Sequence, residues 1–532
     1  MMEKEFTDTD IEQIQAHGLS MEIVENQLAM FKKGVAVPGL VAPCTAGNGV
    51  KRLDDDAVID RLIDRCNEAA AHGRITKFIP ASGAATRMFK ALLAVYYGDA
   101  PTDRETALQK AEKGDENHAA LLDLMDHLTE YAFYTSLKTA MAEDGLDCDR
   151  HVADGGFQTV LEYLLTDNGL ALADRPKGMI PFHRYITGTG ETGVFTAFEE
   201  HIAESVACFM DQHDTCRLHF TVPETHRQRI EDLVRQSCEQ YRQAGKTVMT
   251  TFSIQAPSTD TVAADMDNKP FRDENGRLVF RPGGHGALLD NLNALDGDIL
   301  LIKNIDNVAR PALRQDTAWA LKAICGMLAN LQEGITEHLH RLRIRSCSDT
   351  DIQAAMDFIT LRLEITLSES IETGPADDRR AFLLSVLNRP TRVCGVVKNE
   401  GEPGGGPFFV KDENGMISGQ IIESAQVDMN DPAQKNIWES ATHFNPVIIA
   451  CGVRDGDGNP FDLKRFSDPQ AGIITEKSYN GRTLKALEHP GLWNGAMAHW
   501  NTVFVEIPSA AFNPVKTVFD LLRDGHRAED HR

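Results

Sequence analysis

Residues 78–92 read FIPASGAATRMFKAL. The apolar Phe78-Ile79-Pro80 enters a run of Ala, Ser and Gly, which opens into Thr86-Arg87-Met88-Phe89-Lys90, a stretch of helical composition. The pattern predicts a strand, a tight small-residue turn and a helix start with one arginine in its first turn. Small side chains at such a turn serve one of two ends. They let backbone N–H groups approach an anion, with the helix dipole and an arginine clamp adding to the attraction. Alternatively, they let a helix pack close to a sheet. The stretch matches neither G-x-x-x-x-G-K-[ST] nor G-x-G-x-x-G, so it is not an ATPase or dinucleotide signature.

Further strands are predicted at RLHFTVPE (217–224), KTVMTTFSIQ (246–255), DGDILLIKNID (296–306), RVCGVV (392–397), PFFVKDENGMISGQII (407–422), PVIIACGV (446–453) and NTVFVEIP (501–508). The third is apolar through its middle, as in a sheet covered on both faces. Helical spacing marks 9–34, 54–72 and 225–244, whereas the Pro- and Gly-punctuated 35–50 reads as a loop. Long helical blocks at about 90–172 and 312–386 interrupt the alternation. The expected fold is therefore α/β, a mixed, mostly parallel sheet flanked by helices, with large helical insertions. Residues 1–74 form an N-terminal helical segment, 75–525 the core with its insertions, and 526–532 a frayed tail. Ligands of such sheets sit beyond the carboxyl ends of the strands, so residues 81–87, 281–286 and 304–307 carry the most weight.

The 532 residues hold 54 Lys+Arg against 79 Asp+Glu, a net charge of -25. That argues against a general nucleic-acid or anionic-membrane surface, and requires any anionic ligand to be held by a local cationic pocket. The ten cysteines are scattered without a CxxC pair, so no zinc-knuckle spacing or compact disulfide framework is expected. The acidic N-terminus lacks an apolar signal core and no run approaches a membrane span, which points to a reducing cytoplasm.

Other stretches carry chemistry. RPKGMIPFH (175–183) places Lys177 ahead of an apolar run. FRPGGHGALLDNL (280–292) sets Gly283, Gly284 and Gly286 around His285, a loop able to hug a flat or ribose-like ligand. LIKNIDN (301–307) ends a buried strand in Asp306, where a carboxylate can hold Mg²⁺ bridging to phosphate or simply cap a turn. In FNPVKTVFDLLR (512–523) Lys516 precedes a helix start near Thr517, a position that suits a cation facing an anion. GEPGGGPFF (401–409) leads into a strand and lacks the helix a phosphate loop uses. FEEHIAESVACF (198–209), with Glu200, His201 and Glu204, reads as an amphipathic helix with a charged outer face rather than a metal site.

The order of these motifs resembles the nucleotidyltransferases that make nucleotide sugars, especially UTP–sugar-1-phosphate uridylyltransferases (the UDP-sugar pyrophosphorylase type) with a GT-A-like core. Pro80 through Arg87 is similar to that family's L-x-G-G-x-G-T-R loop, with Ser82 and Ala85 standing at two glycine positions. Pro176-Lys177-Gly178-Met179-Ile180-Pro181 resembles its Pro-Lys segment, Pro282 through Gly286 its P-P-G-H-G loop, and Asn304-Ile305-Asp306-Asn307 its N-x-D-N strand end. The closest match in register is Phe512, Pro514-Val515-Lys516 and Asp520-Leu521-Leu522 against F-x-P-V-K-x-x-x-D-L-L. The whole sequence also resembles a bacterial family known only as a domain of unknown function.

The resemblance implies in-line attack of a sugar-1-phosphate oxygen on the nucleotide α-phosphorus, without a covalent intermediate. It puts Arg87 at the leaving β/γ-phosphates, Lys177 at the α-phosphate, Lys516 at the attacking phosphate and Asp306 at Mg²⁺. Ser82, Gly83, Ala84 and Ala85 would line the nucleotide, and Gly283, Gly284 and His285 its base and ribose. No second carboxylate for the metal stands out in the sequence, and Asp428 and Asp520 are only candidates. A non-catalytic nucleotide-sugar-binding protein and a glycosyltransferase on the same core are the rival expectations. Base, sugar and oligomeric state stay open.

Overall fold

The computed structural model describes residues 6–98, 102–187, 190–402 and 404–527. The chain divides into two compact units, each assembled from separated segments. The first comprises Met1–Phe78, Ser253–Ile302 and Leu321–Ile507, the second Ile79–Phe252, Lys303–Ala320 and Pro508–Arg532.

In the first unit the main sheet runs, neighbour to neighbour, through Thr45–Ala46, Gly49–Lys51, Asn501–Glu506, Thr391–Lys398, Ile448–Gly452, Ile299–Lys303 and Ile75–Pro80. Parallel pairing dominates: Ile299 lies opposite Ile75, Thr391 opposite Asn501, and Phe504 opposite Val50. The Ile448–Gly452 strand runs antiparallel to Thr391–Lys398. Ile299–Lys303 is buried at every position: the apolar run 299–302 requires it, and Lys303 is held inside by Glu204. Phe78, Ile302, Cys394, Ile449 and Phe504 belong to the core on this sheet. This is the mixed, mostly parallel α/β sheet with helical cover that the strand pattern predicts.

The second unit carries the strands Thr215–Thr221 and Thr247–Ser253 and a run of helices from Lys90–Tyr96 to Phe157–Leu165. Ala81, just past the strand Ile75–Pro80, donates its N–H to the Thr221 carbonyl at 2.9 Å. Among the described residues no helix is long and apolar enough to cross a membrane.

Local expectations fail where distant partners decide. The 35–50 stretch is not only loop: Leu40–Pro43 pairs with Gly406–Lys411, and Gly49–Lys51 joins the main sheet beside Val505. Strands this short, broken by Gly and Pro, show no period of their own and exist through pairing. The 9–34 helix is two helices, Asp8–Ala16 and Met21–Lys33, parted at Gly18 with φ +74° and each capped by its own Thr7 or Ser20. Beyond the small-residue turn, Ala85–Arg87 forms one 3₁₀ turn, and the α-helix begins only at Lys90. Arg87 therefore stands on a tight connector and not in the first turn of a long helix.

The helix Ala197–Cys208 corrects another expectation. Glu200, His201 and Glu204 are buried, so its charged residues do not form an outer face. Glu204 pairs with the buried Lys303 at 2.6 Å, and Glu200 with Arg314 at 2.6 Å and His183 at 2.9 Å. These partners offset the desolvation of the carboxylates, and they lie too far along the chain for helical periodicity to reveal. Residues 528–532 of the expected tail lie outside the described residues, whereas His526 is buried rather than frayed.

Candidate functional site

Four segments of the second unit converge on one another. The loop 82–85 is tied to the 175–177 segment: Ala85 N–H donates to the Arg175 carbonyl at 3.1 Å, and Lys177 N–H to the Gly83 carbonyl at 3.0 Å. Lys177 then reaches Asp306, its Nζ lying 2.8 Å from Asp306 Oδ2 and 2.7 Å from the Val515 carbonyl. Val515 N–H returns a bond to the Asp306 carbonyl at 3.3 Å, and Asn513 N–H donates to Asn307 Oδ1 at 2.9 Å. Lys516 is the next residue, with its side chain exposed and its N–H held by Asp520 Oδ2 at 2.8 Å.

Glycine chemistry separates two kinds of position here. A Cβ on Gly83 would meet nothing within 4 Å, and Ser82, Gly83 and Ala84 are exposed. The small residues of this turn are therefore not demanded by close packing at Gly83. At Gly178 a Cβ would sit 2.7 Å from Ile305 and 2.8 Å from Phe198. Only glycine lets the Lys177 turn lie down on the Asp306 loop.

The Asp306 loop is fixed from beneath by the buried helix. His201 Nε2 lies 3.2 Å from both the Asn304 and Ile305 carbonyls, and Lys303 is held by Glu204. A second buried chain ties down the Lys516 segment. His526 Nε2 donates to the Asn513 carbonyl at 2.9 Å, which leaves His526 Nδ1 to accept from His183 Nε2 at 2.8 Å. His183 Nδ1 faces Glu200 at 2.9 Å, which continues the chain to the buried carboxylate. Burial alone would raise the Glu200 carboxyl, but His183 and Arg314 hold it below its ordinary value.

Arg87 is exposed and forms no ion pair among the described residues. Asp520 is committed to the N–H groups of Lys516 and Thr517, and Asp428 closes a turn by accepting from Asn430 N–H at 3.0 Å. No cluster of three His, Cys, Asp or Glu side chains suited to a metal occurs among the described residues. The donor set at Asp306 is one carboxylate beside one ammonium. That suits a Mg²⁺ ion carried in on phosphate oxygens, not one caged by the protein.

Gly283, Gly284 and His285 lie in the first unit, against residues 488–491. Cβ atoms on Gly283 and Gly286 would fall 2.4 Å from the Thr259 carbonyl and 2.2 Å from the Pro490 carbonyl, while Gly284 has φ +73°. Packing and backbone conformation account for these glycines. His285 stacks on Trp493 at 4.1 Å, and its Nδ1 accepts the Leu492 N–H at 3.1 Å. The ring sits in a tight slot in which burial pushes its pKa down to about 4, with Glu488 pulling the other way.

Burial likewise lowers His219 to about 4 and His526 to about 3 from an ordinary 6.5. Such groups stay neutral in the folded protein while the unfolded chain takes up protons below pH 6.5. Their stabilising contribution is present above that value and is lost as pH falls toward 4. The thermal midpoint is therefore expected to drop between pH 7 and 5, and His219→Gln to flatten part of that drop in a pH series of melting curves. An unchanged slope in the variant would remove His219 from this account.

The sequence profile of a domain of unknown function (DUF4301) matches residues 7–527, and the chain belongs to that family. No curated protein matches it in sequence. Among solved structures it is similar to the uridine diphosphate N-acetylglucosamine pyrophosphorylase of Trypanosoma brucei, at 11% identity over 96% of this chain and 76% of that one, TM-score 0.46. It is also similar to a variant of the UDP-glucose pyrophosphorylase of Leishmania major, at 13% identity over 97% of this chain and 80% of that one, TM-score 0.44.

Proposed function

We propose that this protein is a sugar-1-phosphate nucleotidyltransferase, joining a nucleoside triphosphate, UTP by preference, to a sugar 1-phosphate with release of pyrophosphate. The observation that carries the reading is the clasp of Lys177, Asp306 and Val515, which draws together residues 129 and 338 positions apart in the chain. The same clasp brings in the open 82–85 turn, through Lys177 N–H, and Lys516, through its neighbour Val515. Motif order along the sequence adds independent support.

The chemistry needs no covalent residue. An oxygen of the sugar phosphate forms a bond to the α-phosphorus as the bond from that phosphorus to the bridging β-oxygen breaks. Pyrophosphate leaves with the electron pair. The protein's work is to align anions and to neutralise charge. Lys177 serves the α-phosphate, Lys516 the attacking phosphate and Arg87 the departing β- and γ-phosphates, while the exposed Ser82, Gly83 and Ala84 and the backbone at Ala85 line the nucleotide. Mg²⁺ entering with the triphosphate would take an Asp306 oxygen and supply charge neutralisation.

Pyrophosphate release, measured with UTP, ATP, CTP, GTP and dTTP against a panel of sugar 1-phosphates in Mg²⁺, tests the proposal. Release with UTP and at least one sugar is expected. Nucleotide binding without release from any pair would establish the non-catalytic binding reading instead. Sugar transfer from a nucleotide sugar to an acceptor would establish the glycosyltransferase.

A further inference from the structure

The second unit holds a cavity of about 450 Å³ lined by Arg175, Arg229, His226, Met179, Asp167 and Asp232, among others. Two arginines and two aspartates line it, yet neither arginine is ion-paired with either aspartate among the described residues. On the helix Arg227–Gln243, Arg227 pairs with Glu231, Arg235 with Asp232 and Arg242 with Glu239. Among the described residues Arg229, on the same helix, has no carboxylate partner, and neither has the half-buried Arg175. Asp232 is already committed to Arg235 and Gln228, and Asp167 forms no ion pair with either cavity arginine.

Burial lowers the Arg175 pKa, and Arg229 lowers it further by repulsion. Two guanidiniums, one of them partly desolvated, thus face a common space with their donors unspent. A guanidinium presents a planar fork of N–H groups matched to the oxygens of phosphate, and an anion between the two would relieve both repulsion and desolvation.

We propose that the Arg175–Arg229 cavity is a binding site for a phosphate group, free or as the phosphate end of a small metabolite. The site goes beyond the nucleotidyltransferase reading and does not depend on it. Occupation would bear on the same backbone that holds the small-residue turn. The Arg175 carbonyl accepts the Ala85 N–H, the Ala173 carbonyl accepts from Thr86 Oγ1 at 3.3 Å, and Lys177 follows two residues on. Asp167, free of those arginines, is placed to accept from a hydroxyl of a sugar phosphate.

Melting curves and calorimetric titrations on the full chain, without nucleotide, test this site. The probes are inorganic phosphate and glucose 6-phosphate, each against sodium chloride at matched ionic strength. Phosphate-type anions are expected to raise the wild-type midpoint where chloride does not. Arg229→Gln, an exposed change that keeps the helix, is expected to weaken binding at least about tenfold, the loss of one charge-assisted contact. The same variant should melt higher than wild type in chloride, because a repulsive pair is gone. Arg242→Gln, an exposed change further along the same helix that breaks the pair with Glu239, is expected to keep the anion response. Preference for glucose 6-phosphate over inorganic phosphate would assign the occupant as a sugar phosphate, and equal response as the phosphate group alone. An equal shift in Arg229→Gln and wild type, an equal shift with chloride, no shift at all, or an equal loss of the shift in Arg242→Gln would each overturn the site. Because no turnover is read, failure here leaves the pyrophosphate-release result untouched.

Discussion

Lys177→Met is expected to lower the rate of pyrophosphate release by about 10²–10³-fold, the loss found when one preorganised charge donor is removed from a transition state. Methionine keeps most of the length of the lysine stem and none of its charge. The ammonium of Lys177 has two partners in the protein, Asp306 at 2.8 Å and the Val515 carbonyl at 2.7 Å, and both lie at the ends of segments that carry proposed substrate contacts. Its removal leaves the half-buried Asp306 without its counter-charge, so a stability loss of roughly 1–3 kcal/mol is expected alongside.

The two effects separate by measurement. A folded variant with kcat reduced and KM little changed places Lys177 at the transition state. A variant that loses stability but keeps kcat within about tenfold would make Lys177 a structural clasp only. Lys177→Arg is not expected to restore the rate. The compact ammonium meets one carboxylate and one carbonyl, a geometry that a planar fork does not reproduce.

The largest stability effect is expected at Arg392. This side chain is fully buried, and among the described residues no carboxylate pairs with it. Its Nε donates to Thr502 Oγ1 at 2.8 Å, Nη1 to the Trp493 carbonyl at 2.6 Å and Nη2 to Gln420 Oε1 at 2.9 Å. Burial pushes the guanidinium pKa down, with the Cys394 and Cys451 thiols pulling the other way, yet an arginine does not give up its proton in a protein. Arg392→Ala would strand buried acceptors and open a cavity, for an expected loss of about 3–5 kcal/mol in urea unfolding.

Arg392→Met fills most of the space but restores none of the hydrogen bonds, and should recover part of that loss. Trp493, whose carbonyl Arg392 holds, stacks on His285, so tryptophan emission should change before global unfolding. A midpoint within about 1 kcal/mol of wild type for the alanine variant would show that the acceptors find water instead.

Apolar patterning carried much of the fold by itself. The apolar runs at 299–302 and 448–451 and the apolar centre 503–505 announced buried strands, because covering both faces of a sheet with few polar partners demands such runs. The turn at 81–85 and the order of the Lys177, Asp306 and Lys516 motifs were also legible, since turn chemistry and motif spacing are local properties.

Burial of charge was not. Helical periodicity put Glu200, His201 and Glu204 in water, yet each is inside and held by groups from distant segments. Arg392 opened what read as an ordinary strand, and nothing near it in sequence foretells acceptors at 420, 493 and 502. Arg175 and Arg229 became notable only when the cavity showed them facing common space without ion pairs of their own among the described residues. The physical reason is the same throughout. An apolar side chain is buried by the hydrophobic effect, which is non-directional and leaves its mark as a period along the chain. A polar side chain is buried only where particular partners meet it in space, and tertiary structure alone decides who those partners are.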